Sequence, residues 1–269
     1  GKALSTGWFG LSTAEFLMPV TIIYALTIMD WRNIWIIISV AIILFLPLAS
    51  YFLVKEVKLS SREDDTEVVK KNIKQWKRAE VIKDYRFIII ALNMLAMPWI
   101  ATGIFVYQSF ILSAKNWGEY TIAQSFMVYS IASVLTLFVA GYLIDKFSSR
   151  KLLIYMNIPF LISLLILIYF QSPVSSFFFL GLIGVSNGFA NVLGSSTWAE
   201  LYGVKFIGSI KALTTALMVF STAFGTAFFG LMIDFDFSIE QISMISGGYI
   251  LISLILLFFI KNKLNPTIL

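Results

Sequence analysis

Cysteine and histidine are both absent from the 269 residues. Their absence excludes disulfides and thiolate nucleophiles, most zinc sites, and the commonest general base. No pair of carboxylates within an apolar stretch replaces them, so the chain is not expected to be an enzyme. No metal and no cofactor is expected. Charge is also scarce. Charged residues make up 13% of the chain, against about 25% in soluble domains. Alternating segments of about ten residues, the mark of a membrane barrel, are missing as well.

What the chain has in quantity is apolar sequence, 59% of all residues. It falls into eight long runs, at 4–29, 31–54, 86–112, 120–144, 152–170, 175–198, 208–233 and 239–260. A helix of roughly 20 apolar residues crosses a hydrocarbon core of about 30 Å. The expected fold is therefore an all-α membrane protein with eight transmembrane helices. The net charge of +5 lies in the segments between spans, which is the pattern of membrane topology and not of nucleic-acid binding.

Residues 55–85 form a polar linker. It opens with SSREDDTE and continues as VVKKNIKQWKRAEVIKDY, where Val69, Ile73 and Trp76 recur at helical spacing among Lys70, Lys71, Lys74, Lys77 and Arg78. That pattern predicts an amphipathic helix on the membrane surface, with lipid headgroups as partners. A passive tether between two bundles is the other reading. If the linker is cytoplasmic, only Arg32 and Lys115 among the 20 Lys and Arg residues face outside. This bias assigns the linker and the C-terminus to the cytoplasm of a multi-pass protein.

The stretch 141–151, GYLIDKFSSRK, is a charged island between two apolar runs. Its spacing, Gly141 followed by Asp145, Lys146, Arg150 and Lys151, resembles the loop signature of the major facilitator superfamily of secondary transporters. Ser148 stands where that family usually has a second glycine. Residues 198–213, WAELYGVKFIGSIKAL, look like the loop before the family's eleventh helix in the bacterial monocarboxylate-like branch, and residues 1–19 look like its fifth helix.

An internal repeat supports the same register. KALSTGWFGLSTA at 2–14 matches KALTTALMVFSTA at 211–223 in the blocks KAL and STA. If the first and seventh helices are twins, the chain holds the fifth and sixth helices of a twelve-helix carrier and its whole second half. The expected division is a two-helix remnant at 1–54, the linker at 55–85 and a six-helix C-terminal bundle at 86–263. The four preceding helices would be partners supplied elsewhere in a longer chain, and the chain itself would be N-terminally truncated.

The resemblance implies a permease of a bacterial inner membrane that moves a small organic solute by alternating access, with a proton as candidate coupling ion. The alternative is a non-transporting membrane scaffold or a truncated product. In the run 175–198, Gly181, Gly184, Asn187, Gly188, Asn191 and Ser195 share one side of the helix at 100° per residue. The family's tenth helix borders the solute cavity, which makes Asn187 and Asn191 candidate ligands; amide bonding between helices is the other reading. Asn93, Trp99 and Tyr107 are candidates on the same ground, with Pro98 as a possible hinge between them. Glu15, about 17 Å into its helix, is the candidate coupling residue, since an ionisable group at mid-membrane is functional by default. Gly141, Asp145, Lys146, Arg150 and Lys151 form the candidate gating loop. No Lys or Arg lies deep within any span, which argues against an anionic solute unless further helices supply the charge.

Overall fold

The computed structural model describes the backbone of residues 2–54 and 74–267, with side chains from Thr13 on except at Glu15 and residues 52–54. Every regular element among these residues is helical. In chain order they are α1 (Lys2–Leu26), α2 (Trp31–Val54), α3 (Arg78–Ile82), α4 (Tyr85–Val106), α5 (Gln108–Lys115), α6 (Glu119–Phe147), α7 (Ser149–Met156), α8 (Ile158–Tyr169), α9 (Ser175–Tyr202), α10 (Ile207–Asp234) and α11 (Ile239–Ile260), with a closing 3-10 turn at Lys261–Lys263.

Seven stretches of the described residues are long and apolar enough to cross a membrane: α2, α4, α6, α7 with α8, α9, α10, and α11 with its closing turn. Of α1, only Phe16–Leu26 enters that measure, as a shorter apolar helix. Large apolar side chains such as Phe45, Leu135, Phe220 and Phe259 are more than half exposed. In water such a surface would drive aggregation. In lipid it is the expected outer face of a helical bundle.

Two spans are interrupted. The helix expected over 86–112 ends at Tyr107, whose φ of −101° and ψ of 27° leave the helical region, and resumes as α5. Pro98 lies within α4 without ending it. The second break is at Asn157, two residues before Pro159, which cannot donate the backbone hydrogen bond that would carry the helix across. Asn157 is fully buried and donates Nδ2 to the carbonyl of Asn93 at 2.6 Å.

Helix contacts are made by small residues. A methyl group at Gly184 would overlap the Tyr129 carbonyl, and one at Gly188 would come within 2.6 Å of the Ser133 carbonyl, so α9 meets the backbone of α6. Ser125 and Ser176 share a hydrogen bond of 2.7 Å across the same contact. α10 approaches α4 in the same way, with Gly225 against the Trp99 carbonyl and Gly103 beneath the Phe229 ring. In lipid there is no hydrophobic force between helices, so close backbone approach and buried hydroxyls hold them together. α1 packs against α6.

The polar contacts sort into two ends. At one end Lys115 is buried and paired with Glu240 at 2.7 Å, and Trp117 Nε1 donates to the Gln171 carbonyl at 3.0 Å. At the other, residues 74–76, the start of α4, the α6–α7 turn, the end of α9 and residues 264–267 converge. This second end is called the linker end below. Successive spans from α4 on therefore run in alternating directions.

At the linker end the chain departs from the amphipathic pattern read in its sequence. Lys74–Lys77 are not helical, and only Arg78–Ile82 forms a short helix. Tertiary contacts replace the helix: Lys74 N donates to the Thr267 carbonyl at 2.8 Å, Trp76 N to the Tyr202 carbonyl at 3.1 Å, and the Trp76 ring meets Tyr202 edge-on at 5.5 Å. Residues 55–73, with most of the predicted amphipathic pattern, lie outside the described residues.

Candidate substrate cavity and linker-end latch

A cavity of about 400 Å³ lies between α4, α9 and α10, with Met156 at the end of α7 closing one side. At 1.5 Å per residue its walls extend from about 6 Å to about 22 Å above the linker end of α9, a range that includes the middle of a 30 Å hydrocarbon core. Asn187 and Asn191 both line it, together with Ser195, Thr214 and Thr215. The remaining wall is apolar, including Met94, Met97, Pro98 and Met218. Among the described residues no ionisable side chain is in the lining.

The side of α9 singled out by its sequence divides between two tasks. Gly184 and Gly188 face α6, while Asn191 and Ser195 face the cavity. Asn187 does both, since Nδ2 donates to Ser133 Oγ of α6 at 3.1 Å while the residue lines the cavity. Asn191, Ser195 and Thr215 make no side-chain hydrogen bond among the described residues, so their polar groups are available to a ligand. Thr214 donates to the Lys211 carbonyl at 3.0 Å.

The other three candidates of α4 and its end are elsewhere. Asn93 is fully buried, with Nδ2 donating to Ser253 of α11 at 3.3 Å. Trp99 is enclosed by Phe224, Phe228 and Tyr249 at ring distances of 5.3 to 5.5 Å. Tyr107 lies at the α4–α5 break, where its hydroxyl occupies the space a side chain at Gly230 would need. None of the three is in the cavity lining. Glu15 lies in α1, but its side chain is outside those described.

In the charged loop, Arg150 is the engaged member. Its Nε lies 3.1 Å from Glu200 Oε1 at the end of α9, and Nη1 donates to the Leu264 carbonyl at 3.1 Å and to Asn265 Oδ1 at 2.9 Å. Glu200 also accepts hydrogen bonds from the Ser148 and Ser149 hydroxyls and from Ser149 N. Ser148, between α6 and α7, has a φ of 80°, a conformation glycine adopts freely and other residues only under strain. Asp145, Lys146 and Lys151 are exposed. Among the described residues Asp145 forms no ion pair, and no atom lies within 4 Å of where a Gly141 side chain would begin.

A second arginine completes the linker end. Asp84 caps α4 by accepting from Arg86 N at 2.9 Å and pairs with the Arg86 guanidinium at 2.8 Å. Tyr202 donates to the same carboxylate at 3.2 Å. Arg86 Nη1 reaches the Asn265 carbonyl at 2.8 Å, so residue 265 is held by arginines from both α4 and α7.

Glu200, Ser195, Thr214 and Thr215 are functional candidates that the sequence reading did not select. Glu200 belongs to the quoted WAELYG stretch and the threonines to the repeat, but neither pattern identifies a partner on another helix, such as Arg150, fifty residues from Glu200.

A bundle of apolar helices tied together at one end by ion pairs, with a largely apolar cavity of solute size between its helices, defines a polytopic membrane protein. The sequence model of the Major Facilitator Superfamily matches the chain over residues 1–226 and again over 88–268, and the chain belongs to that superfamily of membrane transporters. None of the curated proteins compared with the chain matches it.

Proposed function

We propose that the chain carries a small organic solute across the membrane by alternating access, with the cavity between α4, α9 and α10 as the solute site. The observation that carries this reading is the cavity itself: hydrogen-bonding groups of Asn191, Ser195 and Thr215 without partners among the described residues, at a depth where an apolar span would otherwise bury none. Asn187 and Asn191 are the proposed ligands within it. Asn93, Trp99 and Tyr107 are proposed to position α4 against its neighbours, Asn93 through Asn157 and Ser253 and Trp99 through its ring cluster.

The turn between α6 and α7 is proposed as the gate of the linker end, with Arg150 and Glu200 as its closing pair and Asp145, Lys146 and Lys151 as its exposed charges. The linker end is proposed to be cytoplasmic, because Lys and Arg concentrate there. Glu15 remains the proposed proton carrier. Overlapping matches of one family model, 1–226 and 88–268, are in keeping with an internally repeated architecture and with a remnant of the other half at 1–54.

The test is uptake of a metabolite panel into proteoliposomes containing the full-length protein. At least one solute should enter, and Asn191→Trp, which fills the cavity, should abolish its entry. A solute moved equally well by that variant would remove the cavity from the pathway. Uptake that is independent of pH, and unaltered in Glu15→Gln, would remove the proton.

A further inference from the structure

The lining of the cavity makes a stronger statement than its position does. Among the described residues its polar side-chain groups are all uncharged: the amides of Asn187 and Asn191, the hydroxyls of Ser195, Thr214 and Thr215, and the indole N–H of Trp198. Among the described residues no carboxylate, ammonium or guanidinium lines the cavity; Lys211, one turn nearer the linker end than Thr214 and Thr215 on α10, is exposed and lies outside the lining. Arg86, Arg150 and Glu200 are near in sequence but are committed to one another's neighbourhood at the linker end, through Asp84, Asn265 and the α6–α7 turn.

A charged solute entering such a space loses water and gains no counter-charge from the residues that line it, which is the least favourable way to bury an ion. A neutral solute meets groups that match it. Asn191 offers both a donor and an acceptor, and Ser195 lies one helical turn further along the same face. Thr215 reaches in from α10 opposite. Asn187 is half satisfied already, because its Nδ2 is given to Ser133 while its carbonyl oxygen accepts nothing among the described residues.

The apolar wall has its own bias. Four of its side chains are methionines, Met94, Met97, Met156 and Met218, contributed by three different helices. Methionine is unbranched and polarizable, and it moulds itself to apolar groups of differing outline. Branched aliphatic residues at these positions would have fixed one shape.

We propose that this cavity selects its solutes by charge and not by shape: it takes uncharged molecules that carry amide or hydroxyl groups on an apolar body, and it tolerates many such bodies. This inference rests on the transport reading above, and its test separates the two.

The experiment is equilibrium dialysis of the purified full chain in detergent against three radiolabelled probes of nearly equal size: N-acetylphenylalaninamide, N-acetylphenylalanine and phenylalaninamide. At about pH 6, below an ordinary α-amino pKa of about 7.7, these are neutral, anionic and cationic. The neutral probe should bind at least about tenfold more tightly than either ion. Replacing its phenyl group by the leucine or tryptophan side chain should change affinity by less than about fivefold. Asn191→Ala should weaken the neutral probe by about tenfold.

If either ion binds as tightly as the amide, or if the amide does not bind, the charge rule is overturned. If the leucine or tryptophan analogue is rejected, the shape tolerance is. Asn191→Trp and Thr215→Trp, which fill the cavity from opposite walls, locate the binding. Loss of the preferred probe in a variant that elutes as a folded monodisperse protein places it in the cavity, whichever charge it bears. Binding that survives in both variants overturns the cavity as the site, and with it the transport reading.

Discussion

Arg150 and Glu200 meet at 3.1 Å across the linker end, and their pairing joins the start of α7 to the last turn of α9. Both side chains are about one-quarter exposed, so the pair is neither screened as a surface ion pair is nor buried at full desolvation cost. The same carboxylate gathers the hydroxyls of Ser148 and Ser149. A bond to a charged group contributes about 1.5 to 3 kcal/mol, comparable to the few kcal/mol that separate two conformers of one protein.

Glu200→Gln should therefore loosen this end. The chain has no cysteine, so Ser195→Cys introduces a single thiol into the cavity lining. Its labelling by a membrane-impermeant maleimide should be several-fold faster when Glu200→Gln is added. An unchanged labelling rate would show that the pair does not control access.

Ser148 gives a second test, because strain and bonding act on it in opposite senses. Its φ of 80° costs a non-glycine residue about 1 to 3 kcal/mol, while its hydroxyl bonds Glu200. Ser148→Ala loses the bond and keeps the strain; Ser148→Gly loses both. The alanine variant should have the lower melting temperature in detergent, and the reverse order would refute a strained turn at this position.

Helix contacts predict which glycines matter. Gly225→Ala places a methyl group against the Trp99 carbonyl, and overpacking of this kind costs about 1 to 3 kcal/mol. A side chain at Gly248 would have nothing within 4 Å, and Gly248→Ala gains helix propensity of up to about 1 kcal/mol. Thermal unfolding of the two variants should therefore move in opposite directions, or at least only the first should fall.

A pH dependence is expected outside the membrane spans. Lys77 N donates to Glu80 Oε2 at 2.7 Å, and this bond, helped by Lys74 at 3.0 Å, holds the Glu80 carboxyl below the usual carboxylate range. A lowered folded-state pKa stabilises the fold above the ordinary value of about 4.3 and ceases to do so as pH falls through the lowered one. The stability difference between the wild-type chain and Glu80→Gln should be present at neutral pH and shrink as pH falls below the ordinary carboxylate range. A difference independent of pH would mean that the carboxylate's charge is not what holds the Lys77 turn.

Asn191 and Trp99 show how far the sequence could be read toward the site. On α9, glycines and asparagines share one side of the helix, so the side with a special role was visible before any fold was known. On α4 nearly every side chain is apolar, and nothing in the order of residues distinguishes a face toward the cavity from a face toward α10 or α11. Trp99 and Asn93 are candidates through their polar character and the family resemblance of their helix, neither of which gives the direction of a side chain, and neither residue lines the cavity. The stretch around Trp76 shows the converse: its helical spacing was real, but contacts with Tyr202 and Thr267 outweighed the local preference of residues 74–77.

By itself the sequence determined that this is a helical membrane protein, because long uncharged runs can satisfy their backbone groups in hydrocarbon only as helices. It also fixed the separation of Lys and Arg from the spans, since charge cannot remain in lipid unpaired. Tertiary structure alone decided which polar residues face one cavity, which glycine meets which carbonyl, and which carboxylate Arg150 grips. Those pairings join residues fifty or more positions apart, and their energies exist only once the helices have packed.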